Sequence, residues 1–242
     1  MAVAISVFIP KTPVWEREKT KQSSTKLAFK RFISGLLSVC KNQQTWIIGL
    51  VASALYMPTV VFSDLWGIQY VQGTLGVTKA QAAEVTGLLY LGWLVGGPLA
   101  GWVSDKLQCR RKPLIIGCAV STLLFLCLLM FDIKSAALMG LILFFAGLSS
   151  SPEVICFVAS LEANKPDAKG SAIAVINMVV MFIGGIFQPI VGKLMQWGSQ
   201  SGLPGEISIE RFRHALLTMP ILTFIGLLIS FFVRKDMIEA KD

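Results

Sequence analysis

Leu114-Ile-Ile-Gly-Cys-Ala-Val-Ser-Thr-Leu-Leu-Phe-Leu-Cys-Leu-Leu-Met-Phe131 runs for 18 residues without a charged side chain. A helix rises 1.5 Å per residue, so about 20 such residues cross the ~30 Å hydrocarbon core of a bilayer. Strands of a membrane barrel would alternate apolar and polar residues in pieces of about ten, and this stretch does not alternate. Counting this one as residues 113–131, six such runs exist; the others cover residues 46–66, 83–103, 136–161, 171–194 and 215–233. Backbone groups in lipid must pair within their own segment, so each run is expected to be a helix. The links at 132–135 and 162–170 are short, which makes their flanking helices antiparallel hairpins. The expected fold is an all-α integral membrane protein with six transmembrane helices.

Composition agrees with lipid as the solvent. Of 242 residues, 54% are hydrophobic and only 15% charged, with a mean hydropathy of +0.68. A soluble domain carries about 25% charged residues to cover its surface. The excess of 22 Lys and Arg over 14 Asp and Glu does not point to nucleic acid, because the basic residues sit between apolar runs and not on one face. Cys40, Cys109, Cys118, Cys127 and Cys156 show no metal-ligand spacing and no CxxC, so no metal, cofactor or disulfide is read from them. The start of the chain has no basic residues ahead of its apolar stretch and no cleavage pattern, unlike a signal peptide.

Charge also sets orientation. With six crossings, 17 of the Lys and Arg fall on the side of the chain ends and of the links after the second and fourth helices, and 5 on the other. Cytoplasmic loops carry the basic excess. Both termini are therefore expected in the cytoplasm, and an odd number of crossings would break the division.

The residues before the first helix differ in character. Residues 1–9 are apolar and too short to span, as the cut end of another membrane helix would be. Residues 10–45 read as a cytoplasmic linker ending in an amphipathic helix, where Phe29, Phe32, Ile33, Leu36, Leu37 and Cys40 recur at helical spacing among Lys26, Lys30, Arg31 and Lys41. Such a helix can lie on an anionic inner leaflet or pack, solvated, on a neighbour. Residues 46–233 hold the bundle, and 234–242 form a cytoplasmic tail.

The most specific signal is the link Gly101-Trp-Val-Ser-Asp105-Lys106-Leu-Gln-Cys-Arg110-Arg111-Lys112-Pro113. A glycine near the helix end lets helices approach, and the acid four residues on can pair with a cation or with a helix N-terminus. Contacts of that kind, made in one conformation and broken in another, suit a gate. The pattern resembles the signature loop of the major facilitator superfamily: Gly, three residues, Asp, Arg or Lys, one residue, Gly, one residue, Arg or Lys. Gly101, Asp105, Lys106 and the Arg110-Arg111-Lys112 cluster match. Gln108 and Cys109 stand where one glycine is expected, as if one residue were added. The long linker before the first helix, and segments 55–72 and 170–195, resemble the C-terminal six-helix half of bacterial members. The resemblance implies a half-bundle that rocks against an N-terminal half about a central site.

Polar residues inside the spans are candidate sites because each is costly in hydrocarbon. Glu153 follows Pro152 in the fourth helix, where a kink is expected, and is the candidate for a titrating, proton-coupling group. A pairing with a neighbouring helix is its structural alternative. Asp64, near the outer end of the first helix, reads first as a solvated rim acid. Asn177 and Gln188 of the fifth helix could bond a substrate or another helix. Tyr56 and Tyr90 could line a cavity or pack. Gly92, Gly96, Gly97 and Gly101, like Gly184, Gly185 and Gly192, offer close helix contact. His214 is the only histidine and lies at an outer edge beside two arginines. No nucleophile-base set accompanies it, so an enzyme is not expected.

The expected function is transport of a small solute by alternating access, with the first, second, fourth and fifth helices forming one wall. The bilayer, the solute and an N-terminal half, in the same original chain or separate, or a second copy, are the expected partners. The expected location is the bacterial cytoplasmic (inner) membrane. The alternative is a non-transporting membrane subunit, or an inactive fragment of a split or truncated transporter.

Overall fold

A computed structural model describes residues 25–196 and 208–234. Residues 1–24, 197–207 and 235–242, which include the apolar stub and the first part of the linker, lie outside the described residues. Ten α-helices cover them: α1 (Thr25–Lys41), α2 (Gln43–Met57), α3 (Gly67–Leu75), α4 (Lys79–Lys106), α5 (Arg111–Met130), α6 (Ala136–Ser150), α7 (Glu153–Ala163), α8 (Lys169–Gln196), α9 (Ile209–Leu216) and α10 (Thr218–Ser230). They assemble into six apolar spans: Gln43–Leu75, α4, α5, Ala136–Ala163, Pro166–Gln196 and Ile209–Ser230.

Two spans run past their expected ends for the same reason. The first continues as α3 through Gln69 and Gln72, and the sixth starts at Ile209 with Glu210, Arg211 and Arg213. These turns are too polar to count as hydrocarbon-crossing, yet each buries a stripe: Tyr70, Val71 and Thr74 on α3, Phe212 and Ala215 on α9. Gly76 ends α3 at φ 68°, a left-handed cap that suits glycine. The next span opens with a capping box, Thr78 with Gln81.

Between α2 and α3 lies a feature the sequence did not announce. Pro58–Trp66 winds as a π-helix. Pro58 supplies no N–H at its first position, which favours a wider turn. At its exit the Gly67 N–H bonds the Phe62 carbonyl, and a Cβ on Gly67 would press on that carbonyl and on the Phe62 ring.

The first span is the axis of the bundle, with 78% of its most apolar stretch buried against 28% for the second. One core cluster joins Ile48, Leu55, Leu114, Ile155 and Ile176 near the α1 end, and a larger one joins Phe62, Tyr70, Phe125, Met139 and Leu216 at the other. The second and fourth spans make the closest approach. A Cβ on Gly92 would run into the Phe144 carbonyl, one on Gly96 into Ser151 and the Leu148 carbonyl, and one on Gly147 into the Leu89 carbonyl. Gly97 and Gly101 have open space around them, so two of the four glycines expected at contacts make none within the described residues. On the fifth span Gly184 abuts Val60 and Gly192 abuts Trp66, while Gly185 is open.

Polar ties fix which ends lie together. Asn42 donates to the Ala163 carbonyl at 2.7 Å, Asn164 donates to Thr45 at 3.0 Å, and Gln44 donates to the Phe232 carbonyl at 3.1 Å. The start of the first span thus meets the ends of the fourth and sixth. At the opposite end the Tyr70 hydroxyl donates to the Leu128 carbonyl at 2.9 Å, and Arg213 pairs with Asp132 at 2.8 Å. Hydrogen bonds from Lys134 and then Arg213 hold the Asp132 carboxyl below its usual range. Leu94, Leu123, Phe182 and Phe232 project outward, each about two-thirds exposed. In water that surface would drive association; lipid accommodates it.

Candidate functional site

The fourth span breaks where the sequence places three serines before Pro152. The hydroxyls of Ser149, Ser150 and Ser151 donate back to the carbonyls of Ala146, Gly147 and Leu148 at 3.0, 3.1 and 2.8 Å. Turn residues Ser151 and Pro152 then separate α6 from α7. Glu153 is the first residue of α7 and is 4% exposed. Ten residues separate it from Ala163, about 15 Å of helix. No hydrogen bond or ion pair reaches its carboxyl among the described residues. An isolated charge in hydrocarbon costs roughly 3 kcal/mol or more, so the position calls for an explanation.

Tyr56 is half-buried on α2 and packs against both core clusters. Asp64 is exposed on the π-helical segment and accepts a hydrogen bond from the Tyr90 hydroxyl of the second span. Asp64 and Tyr90 thus tie the first and second spans at their open face, while Glu153 lies at the break in the fourth span. Asn177 stands exposed on α8, with no hydrogen bond to any of them. Gln188 is used otherwise: its amide donates to the Val60 carbonyl at 2.8 Å, tying the fifth span to the π-helix. Exchanging Gln188 for leucine should cost about 0.6–1 kcal/mol, the usual worth of such a bond in a bilayer. Thermal unfolding in detergent checks this, with solute binding unaffected.

Charge concentrates at the link between the second and third spans. Arg110 is 10% exposed at its side chain and reaches two carboxylates. Its Nη2 meets Glu162 at 2.7 Å and its Nε bonds both Glu162 oxygens at 3.1 and 3.2 Å. Its Nη1 meets Asp105 and the Ser104 hydroxyl. Hydrogen bonding to Glu162 first, then Asp105, holds the guanidinium firmly in its charged form. Lys106 sits 5.0 Å over the Trp102 ring. Gln108 is at φ 47°, the one non-glycine residue with positive φ in the chain as described.

The profile of the Major Facilitator Superfamily matches residues 1–189 and, in a second overlapping alignment, residues 65–238. The chain belongs to that superfamily. Two curated relatives, the "Membrane sensor protein UhpC" of Salmonella typhimurium strain LT2 and of Escherichia coli K12, are each 26% identical over 187 residues. That alignment covers 76% of this chain and 42% of either relative, so the chain spans under half of the curated relatives it matches. Among solved structures, a bacterial homolog of the human lysosomal transporter Spinster, inward-facing and unoccupied, superposes with a TM-score of 0.62. The identity there is 14%, over 96% of this chain and 55% of that one, and it shows the fold alone. The six spans make an integral membrane protein shaped as one half of the superfamily fold.

Within the superfamily's signature loop, counting along the sequence corrects the expected insertion. Counted from Asp105, Lys106 takes the first basic position, Gln108 the glycine's, Cys109 the single spacer and Arg110 the final basic position. No residue is added. Gln108 adopts the left-handed conformation a glycine would take, and its amide donates to the Asp105 carbonyl at 2.6 Å. Gly101 keeps its place in the motif but abuts nothing. Arg111 and Lys112 contact neither carboxylate of the cluster. The residue missed from sequence is Glu162, the stronger partner of Arg110. It lies 52 positions away, and only helix packing brings it near.

Proposed function

We propose that this chain supplies one wall, the C-terminal one, of a superfamily carrier that moves a small solute by alternating access. The first, second, fourth and fifth spans face the partner half, which completes the cavity from the same polypeptide or a separate one. The observation that carries this is Glu153, a carboxyl 4% exposed that no donor reaches among the described residues. Its charge must be met by a proton or cation arriving through a cavity. Asp105, Lys106 and the basic residues after them form a gate at the membrane surface, closed by Arg110 on Glu162. The basic excess supports a cytoplasmic position for that face and for both termini, in a bacterial inner membrane on this reading.

The test is proton-driven uptake of a metabolite panel by the chain reconstituted with its N-terminal half. In the Glu153→Gln variant uptake should lose the roughly threefold change across the pH unit centred on its midpoint that one titrating group gives. Unaltered pH dependence would remove Glu153 from coupling.

A second reading has its own support. Both curated relatives are named membrane sensor proteins. A sensor would bind its solute through the same residues without moving it. Solute binding by the reconstituted pair with no counterflow would favour that reading.

A further inference from the structure

α1 is joined to the first span by Asn42 alone, so its C-terminus lies where that span leaves the hydrocarbon. Its seventeen residues, TKLAFKRFISGLLSVCK, carry four basic side chains and no acid. At about 100° per residue, Gly35, Leu36 and Val39 share one side of the helix, and Leu37 lies well round from them, beside Lys30 and Lys41. The structure uses the first side. Val39 is fully buried in a cluster with Ala168, Ala172, Val175 and Val179, with Leu36 packed against it. A Cβ on Gly35 would touch Ser171 and Ala168 at 3.4 and 3.8 Å.

The fifth span covers only part of the apolar arc. Leu37, at the far edge of that arc, is 54% exposed. Next along the arc, the Cys40 carbonyl accepts the indole N–H of the exposed Trp46 of the first span at 2.7 Å. Tryptophan at a span end favours the membrane–water interface. Lys30 and Lys41 are exposed, and neither has an ion-pair partner among the described residues. Lysine stems can run along an apolar edge while their ammonium groups reach outward.

We propose that the free edge of α1 binds anionic phospholipid, with Leu37 among the acyl chains and Lys30 and Lys41 on headgroup phosphates. Two features select lipid over another occupant. The edge is continuous with the lipid-facing surface at Trp46, and its charge is wholly positive. Each lysine near an anionic surface is worth roughly fivefold in affinity. Since α1 is also packed along the first turns of the fifth span, lipid bound at its outer edge would brace that span.

The test uses the full chain in nanodiscs of phosphatidylcholine, alone or mixed with phosphatidylglycerol. In a background with Cys40 and Cys127 changed to serine, bimane is attached at Leu37→Cys or at Ser34→Cys. Doxyl-labelled lipid should quench the label at position 37 several-fold more than at 34, and aqueous iodide the reverse. Phosphatidylglycerol should raise the thermal midpoint of the unlabelled chain. In Lys30→Gln/Lys41→Gln the phosphatidylglycerol required for the same rise should increase roughly 30-fold, two lysines at about fivefold each. Equal iodide quenching at both positions would place the edge in water and overturn the proposal. Shielding of position 37 from both quenchers would assign the edge to a protein partner. A midpoint indifferent to phosphatidylglycerol would remove the anionic selectivity.

Discussion

Gly147→Val should leave little or no folded protein. A Cβ at Gly147 would lie on the Leu89 backbone carbonyl, and a backbone atom cannot rotate away as a side-chain end can. The second and fourth spans would have to separate along their whole crossing, losing the contacts that bury Leu89, Met139 and Leu143. Overpacking costs about 1–3 kcal/mol when side chains can adjust, and here they cannot. Against a total stability of roughly 5–15 kcal/mol, a cost of about 3 kcal/mol or more should appear as aggregation on size exclusion in detergent. Gly92→Ala should act in the same way through the Phe144 carbonyl. Gly97→Ala and Gly185→Ala, set in open space, should leave the elution profile unchanged and gain up to about 1 kcal/mol in helix propensity. Equal tolerance at Gly147 and Gly97 would refute the crossing.

Arg110→Ala should cost about 2–3 kcal/mol in thermal unfolding, the largest effect in the charged link. It strands Glu162, only 21% exposed at its side chain, and removes a donor from the buried Ser104 hydroxyl. Breaking a buried pair from one side costs 3–5 kcal/mol, discounted here because Glu162 keeps some contact with water. Glu162→Gln should cost less, since Asp105 still meets the guanidinium. Asp105→Asn should stay under about 1 kcal/mol, because its side chain is 68% exposed. The order Arg110, Glu162, Asp105 is the expectation. A ranking led by Asp105 would mean that the loop is held by some other contact.

These two results also mark what the sequence could and could not carry. Leu114 to Phe131 announces a span because lipid leaves the backbone no other pairing, and that reasoning needs no partner. The glycines of the second helix are different. Gly92 and Gly96 form one stripe, Gly97 and Gly101 another, and both have the same spacing. Only the position of the fourth span decides which stripe is pressed. Gln188 was legible as a polar group that must be satisfied, but not as one bonded to Val60 128 residues away. The bonds of Asn42 to the Ala163 carbonyl and of Asn164 to Thr45 have the same character, since they exist only once α2 and α7 meet. Gln108 fills the glycine position of the signature loop, and its positive φ, uncommon for glutamine, shows only in the folded loop. Asp64 is exposed as a rim acid would be, yet Tyr90 bonds it. The polar ends of α3 and α9 were lost to hydropathy because their buried stripes are short.

Cysteine accessibility along the links tests the whole arrangement most directly. Single cysteines at Gln108 and Lys165, in otherwise unreactive protein in intact cells, should resist a membrane-impermeant maleimide until the cells are permeabilised. One at Lys134, in the link after the third span, should react at once. If positions 108 and 165 react on opposite sides, or 134 reacts on the same side as both, the six alternating crossings on which everything above depends are wrong.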